Sequence, residues 1–522
     1  MMRTLLCATI LLLPLLLNEA RSQTDSTAAS PLSLEPGEYS VGFQLIEEQD
    51  YSRSVTGGML PSAAHPRPVR TYLWYPARGS DDAQPMRFGR YAALADEDIW
   101  PAEIAGNLRE ELKYSRRALA RTLGPEGFEA LLQRPVLAFE NAEALGGPFP
   151  LIVIGQGLYF ESPVAFAALS EYLAGRGFVV ATCPLVGTNS PIVNVDVQGL
   201  ETEVRDLEFV IAQARRLSFV SPDKLGVFGF DQGGFVGLIL AMRNADVDAF
   251  VSVSSGILYD APIGELAASP DYDPLALRAP WLHSQESWWA TQPPDSQAES
   301  LFEAATHSER YLLLTEGIGH ADYTTYGLIE GRGIMHGYPA ATPEALEGLK
   351  AVSQYVARFF AAYLTQDAES LVFLSQDPKE SIPGSTMTLE HRSAAPASIA
   401  YEEFVQAVIV GQADQAIDEV RALQETEPDH IFLREEYLAR LVASLGGTWG
   451  LTEDVMPVIG FWRELYPSSA RARQALIQAY IDLGDYPAAI EVVSKIVEQN
   501  PENSRARERL ESLRNEYDQQ RQ

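Results

Sequence analysis

The chain has almost no cysteine and almost no lysine. Two cysteines occur in 522 residues. Cys7 lies in the apolar run at the N-terminus, so loss of that run leaves Cys183 alone and excludes an intramolecular disulfide. Cys183 sits in "GFVVATCPLVG", a setting for a small buried hydrophobe rather than a reactive thiol. Of the 39 basic residues only 5 are Lys, and the formal charge is −32. Nucleic acid and anionic bilayers both draw on Lys and Arg to neutralise phosphate, so neither is expected as a partner. Long apolar runs are also missing. The N-terminal run covers residues 5–17, short of the roughly 20 residues of a membrane-crossing helix. With Arg3 before it, Pro14 within it and small residues Ala20 and Ser22 after it, residues 1–22 read as a cleaved signal peptide. An uncleaved anchor is the other reading. Cleavage predicts an exported protein, periplasmic or extracellular, with no remaining transmembrane span. Metal-ligand spacings, phosphate loops and dinucleotide fingerprints are absent, so no metal and no cofactor are expected.

What is present divides in two. From residue 37 to residue 365 strand-like apolar runs alternate with helical patterns, the order of an α/β domain with a mostly parallel sheet. "EYSVGFQLIEEQD" and "RPVRTYLWYPA" supply the first strands. Residues 91–143 are expected as a helical insertion or lid. Regular strand–helix units follow through "FPLIVIGQGLYFES", "FVVATCPLVGTNS", "KLGVFGFDQGG", "DAFVSVSSG", "APWLHSQES" and "YLLLTEGIGHADY". Thr342 as a cap and Pro343 at the first helical position open a last helix. Residues 366–396 lack a sustained period and read as a linker.

Residues 397–522 carry a repeat. Gly411 and Gly484 are each followed five positions later by Ala-Ile, at Ala416 and Ala489, and then by Pro428 and Pro501. Pro467 to Pro501 spans the period of a tetratricopeptide repeat, in which Gly ends one helix, Ala lets the pair pack closely and Pro ends the second. The unit between Pro428 and Pro467 is degenerate or carries an insertion at "GGTWG". An all-α repeat domain is therefore expected, with a peptide or protein partner on its concave face.

The chemistry centres on "DKLGVFGFDQGGFVGLILAMR". An apolar strand, a Gly-rich turn and a helix write the nucleophile elbow, G-x-S-x-G, yet Gly229-Phe230-Asp231-Gln232-Gly233 places an aspartate where serine is expected. Together with "RTYLWYPA", "PLIVIGQGL", "EVRDLEFVIAQARRLSFVSPDKLGVFGFDQGG" and "GIGHADY", the elbow makes residues 38–365 similar to α/β-hydrolases of the platelet-activating-factor acetylhydrolase and dienelactone hydrolase type. The resemblance implies an α/β-hydrolase fold and small or lipid esters as substrates. It also implies a nucleophile at Asp231, a general base at His320, and oxyanion donors in the backbone N–H groups of Gln232 and Leu158. At the position of the triad acid it aligns Ser254, so nucleophile and acid stand exchanged. A shift by one puts Ser255 there, still no acid.

Glu286, after the next strand, is the other candidate acid; an exposed loop carboxylate is the alternative. If Glu286 reaches His320, an Asp-His-Glu set exists; if it faces solvent, the site has no acid. An Asp beside a His locally resembles haloalkane dehalogenases and epoxide hydrolases, in which Asp attacks an alkyl carbon and His activates water on the ester formed. Trp281, Trp288, Trp289 or Tyr159 would then cradle the leaving group. The carboxylate is also expected to raise the affinity of His320 for a proton. Three readings remain open: a hydrolase of esters or alkyl electrophiles with altered catalytic residues, a catalytically inactive hydrolase fold that binds ligands or partners, and a protein whose repeats do the work on a passive first domain.

Overall fold

The computed structural model describes residues 31–56, 64–79, 83–96, 100, 114–158, 162–189, 191, 193–258, 268–288, 300–329, 342–395, 401–424, 428 and 430–520. The expected signal peptide, Tyr159 and Trp289 lie outside these residues. Among the described residues no helix is long and apolar enough to cross a membrane.

In the first domain the strands are β1 (Ser40–Val55), β2 (His65–Ala77), β3 (Ala138–Glu140), β4 (Phe149–Gly155), β5 (Val179–Thr182), β6 (Val220–Phe230), β7 (Val247–Val253), β8 (Trp281–Glu286), β9 (Arg310–Thr315) and β10 (Thr388–Arg392). They form one sheet in the order β10-β9-β8-β7-β6-β4-β5-β2-β1-β3. Strands β5, β4, β6, β7, β8 and β9 run parallel, while β1 and β5 pair antiparallel to β2. Without the edge strands β3 and β10, the order is that of an α/β-hydrolase sheet, the fold class expected from the sequence.

Helices cover both faces: α1 (Phe88–Asp96), α2 (Tyr114–Leu132), α3 (Ala167–Ala174), α4 (Val197–Ala214), α5 (Gln232–Arg243) and α6 (Pro343–Leu364). The central strands are apolar on both sides, as a doubly covered parallel sheet requires. Ile152, Ile154, Val180 and Phe228 enter one core with α3 and α6. Leu151, Val153, Val227 and Phe250 enter the other with α4 and α5. Thr342 caps α6 by accepting the Ala345 N–H, ahead of Pro343.

Two stretches differ from the sequence reading. The insertion at 91–143 is not purely helical, because β3 adds a parallel strand beside β1. Its anchor is buried and polar: Trp74 Nε1–H donates to the Tyr91 hydroxyl at 2.7 Å, and Tyr91 donates to Glu171 Oε1 at 2.7 Å. Burial lifts the Glu171 carboxyl to about 7, against the bonds from Tyr91 and the Leu137 and Ala138 N–H groups. The neutral acid is thus favoured in the fold. Its contribution is complete below the unfolded value near 4.5 and is lost as pH rises through 7. Tyr91→Phe strands both the indole N–H and the carboxyl oxygen and is expected to cost about 2–5 kcal/mol in urea unfolding.

The expected linker at 366–396 is also structured. It holds α7 (Ala368–Ser375) and a further turn of helix at Pro378–Ser381, then returns as β10 to pair antiparallel with β9, Thr388 opposite Leu314 and Arg392 opposite Arg310. Elements this short leave no period to read.

The second domain comprises α8 (Tyr401–Ile409), α9 (Ala413–Ala422), α10 (Glu435–Val442), α11 (Met456–Leu465), α12 (Ala470–Asp482), α13 (Tyr486–Gln499) and α14 (Ser504–Gln520). Gly411 and Gly484 hold left-handed φ values of 74° and 75° between paired helices, where glycine carries no steric cost. Ala416 and Ala489 are buried at the close approaches. The "GGTWG" irregularity begins within a π-helical turn, Ala443–Thr448, that widens the end of α10. This domain meets the first through ion pairs, Arg434 with Asp273 at 2.8 Å and Arg440 with Asp271.

Candidate active site

Strand β6 ends at Phe230 and α5 begins at Gln232, leaving one residue to reverse the chain. That residue, Asp231, has φ 51° and ψ −117°, a backbone strain that nucleophile elbows use to hold a side chain proud of the sheet. The flanking glycines make the turn sterically possible. A Cβ on Gly229 would meet the Gly233 carbonyl oxygen at 2.1 Å, and one on Gly233 would meet that of Gly155 at 2.1 Å. The Asp231 carbonyl is held by the Ser255 hydroxyl at 2.8 Å.

The loop after β4 brings Leu158 over the turn, and its N–H donates to Asp231 Oδ2 at 2.9 Å. One of the two expected oxyanion donors is therefore occupied by the residue at the nucleophile position. Gln232, bearing the other, is buried at the start of α5.

His320 follows β9 through a glycine-flanked loop, in which Gly317 has φ 72°. Its ring stacks on Phe230 with centroids 4.6 Å apart. Burial lowers the imidazole to about 4, the opposite direction from the one expected of a neighbouring carboxylate. Desolvation outweighs that attraction, so His320 is neutral at pH 7.

Glu286 is neither in direct contact with His320 nor turned to solvent. It ends β8, is 1% exposed, and Oε1 accepts the Ser254 hydroxyl at 2.6 Å. Ser254 Oγ also lies 2.7 Å from His320 Nδ1. A hydroxyl has one proton, so when it serves Glu286 the second bond must come from the His320 Nδ1–H. That fixes the tautomer and leaves Nε2 as the basic nitrogen. Ser254, at φ 46° just past β7, is thus a bridge between imidazole and acid rather than a substitute for the acid.

A polar chain that the sequence reading missed holds the other oxygen of Glu286. Trp281 Nε1–H donates to Ser252 Oγ at 2.8 Å, and Ser252 lies 2.8 Å from His283 Nδ1. His283 Nε2 lies 3.1 Å from Gln285 Oε1, and Gln285 Nε2 donates to Glu286 Oε2 at 2.7 Å. The donors run in one direction with His283 neutral, and burial lowers that imidazole to about 3. Glu286 is pushed above its ordinary range by burial, against the Ser254 bond that favours its charge.

Trp281 lies in the core against Phe250, on the face of β8 away from Glu286, so it is packing and cannot cradle a leaving group. Trp288 is half-exposed. Among the described residues no group of His, Cys, Asp and Glu is placed to hold a metal.

The tetratricopeptide-repeat family profile matches residues 463–513. No curated protein matches the chain. Among solved structures, a ferulic acid esterase from Streptomyces cinnamoneus is similar at 19% identity and a TM-score of 0.47, over 65% of this chain and 94% of that one. The fold assignment rests on the strand order rather than on that likeness.

Proposed function

We propose that the protein is a hydrolase in which Asp231 attacks an alkyl electrophile and His320 activates the water that releases the product. The observation that carries this reading is the Leu158 N–H donated to Asp231 Oδ2 at 2.9 Å. An ester substrate would need that N–H for its own oxyanion. Given to the carboxylate, it suits a reaction in which Oδ2 itself becomes the oxyanion.

In the first step Asp231 Oδ1 bonds to carbon while the leaving group departs with the electron pair, giving an ester whose carbonyl oxygen is Oδ2. His320 Nε2 then takes a proton from water, and the water oxygen adds to Cγ. Charge develops on Oδ2 against the Leu158 and Gln232 N–H groups. Collapse breaks the Cγ–Oδ1 bond. The product alcohol keeps Oδ1 and takes the proton from His320, the water oxygen stays in Asp231, and the remaining carboxyl proton passes to solvent. Ser254 and Glu286 steady the imidazolium formed on the way.

A single turnover of an epoxide or haloalkane in ¹⁸O-water tests the reading. Label is expected in the peptide containing Asp231 and not in the first product; label in the first product would mean direct attack by water and overturn it. The pH profile gives a second check. The base works when neutral in the second step, so kcat is expected to hold as pH falls below 6.5 and to drop only as pH passes through about 4.

The repeat match at residues 463–513 favours an added role in binding a peptide or protein. The signal peptide expected at residues 1–22 and the net charge of −32 support work outside the cytoplasm. A catalytically inactive scaffold is the second reading, favoured by the aspartate that fills the oxyanion donor; absence of turnover on esters, epoxides and haloalkanes alike would decide for it.

A further inference from the structure

Behind the elbow, between the end of β4, the segment after β5 and helix α4, lies a small chamber of ≈ 20 Å³, lined in part by Gln156, Cys183, Glu203, Asp206 and Val236. That is room for one water molecule. Its polar walls are under-used. The Oε1 of Gln156 is buried without a hydrogen-bond partner, its Nε2 being spent on Thr182 Oγ1 at 2.5 Å, and the buried oxygens of Glu203 close no good hydrogen bond, with the Gln232 side chain beside them. Glu203 is 4% exposed and Gln156 2%. Orphaned buried acceptors beside a water-sized space are what an internal water resolves, at about three hydrogen bonds per molecule.

We propose that the chamber holds one internal water bound between Glu203 and Gln156 Oε1, and that Glu203 acts through it as a positioning residue for the loop that presents the Leu158 N–H. Gln156 lies two residues before Leu158, so fixing its side chain fixes the approach of that N–H to Asp231. The water donates one proton to Gln156 Oε1 and the other to a Glu203 oxygen, and accepts the Glu203 O–H.

This arrangement needs a neutral Glu203, and its surroundings supply the reason. Burial and the charges of Asp206 and Asp231 push the carboxyl well up, over the opposing effects of the Gln232 side chain and Arg67. Asp206 is itself paired with Arg67, at 2.7 Å and 2.5 Å, and with Arg53 at 2.8 Å. Cys183, the other titratable neighbour, is a thiol whose ionisation burial suppresses. A neutral Glu203 also keeps a second negative charge away from Asp231. Only that last consequence rests on Asp231 being a nucleophile; the water and the loop do not.

The test therefore uses readouts that need no turnover. High-resolution crystal structures of wild type and Glu203→Gln should each show one ordered water within bonding distance of residue 203 and Gln156, and Glu203→Leu should show none. Hydrogen exchange at the Leu158 amide should quicken at least ~10-fold in Glu203→Leu and stay near wild type in Glu203→Gln. At pH 7 the infrared difference between wild type and Glu203→Gln should contain the band of one protonated carboxyl, apart from that of Glu171, which both forms share. In wild type, Leu158 protection corrected for the intrinsic rate should fall once alkaline pH removes that band; in Glu203→Gln it should stay flat. If Glu203→Leu does not fold, Gln156→Met removes the other end of the bridge and should speed Leu158 exchange alike. A dry wild-type chamber, a missing carboxyl band, or Leu158 exchange unchanged by loss of the water overturns the proposal, whatever the protein proves to hydrolyse.

Discussion

Replacing Asp231 by glycine is expected to abolish the proposed turnover and to raise the melting temperature. Both effects come from one residue. As the nucleophile of the proposed reaction, Asp231 forms the covalent bond, and its loss is expected to lower kcat by about 10⁴-fold or more. As backbone, it holds φ 51° and ψ −117°, which costs a non-glycine residue about 1–3 kcal/mol and glycine little. Relief of that strain should outweigh the lost bond from the Leu158 N–H, which then meets solvent at a half-buried position. Steady-state kinetics and thermal unfolding of Asp231→Gly read the two effects separately. Equal or lower stability with full loss of activity would show that the strain is held at no net cost. Retained activity would remove Asp231 from the mechanism.

The second large effect is at Ser254. Ser254→Ala removes the only atom joining His320 to Glu286 among the contacts described, and leaves a buried carboxylate oxygen and a part-buried Nδ1–H without that partner. Two stranded polar groups are expected to cost about 2–6 kcal/mol of stability. Without the bridge, the imidazole no longer holds one tautomer, and kcat should fall by roughly 10²–10⁴-fold, the scale seen when a triad loses its orienting group. Ser254→Thr keeps the hydroxyl and should recover most of both losses, which a general packing defect would not allow. Ser254→Asp, the exchange that would restore the familiar order of residues, sets one carboxylate against another at the Glu286 Oε1 position. It is expected to act only together with Glu286→Gln. Ester hydrolysis by the combination Asp231→Ser, Ser254→Asp and Glu286→Gln, and its absence without Glu286→Gln, is the outcome to measure.

The elbow was legible because it depends on spacing: strand, Gly229, one residue, Gly233 and helix. The two-domain plan was legible from the change of pattern after residue 365 and from the recurring Gly-to-Pro distance. The link between His320 and Glu286 was not, because it joins residues from three strand ends that no sequence separation relates. A signal for the chain behind Glu286 was present and unread. His283 and Gln285 are polar at alternate positions of a strand flanked by two parallel neighbours, where apolar residues belong. Glu203 carried a similar signal, standing on the apolar stripe of α4 three residues after Leu200 and four before Leu207. Polar residues on an inward-facing period are the mark to look for. The segment 366–396 offered no such mark, since an eight-residue helix and a five-residue strand complete too few turns of either period.

That same segment changes what a boundary between the two domains means. The chain leaves the sheet at α6, turns, and lays β10 along β9 from Arg310 to Leu314 before entering the repeats. The strand it grips is the one whose far end runs on through Gly317 to His320. A protein cut after residue 365 would therefore lose an edge of its catalytic sheet, and one cut after residue 395 would keep it. A partner that pulls on the repeats would load a row of backbone hydrogen bonds in shear, and that pairing ends at Leu314, six residues from His320. The seam is a tether: tension on the repeats would reach the strand that leads to His320.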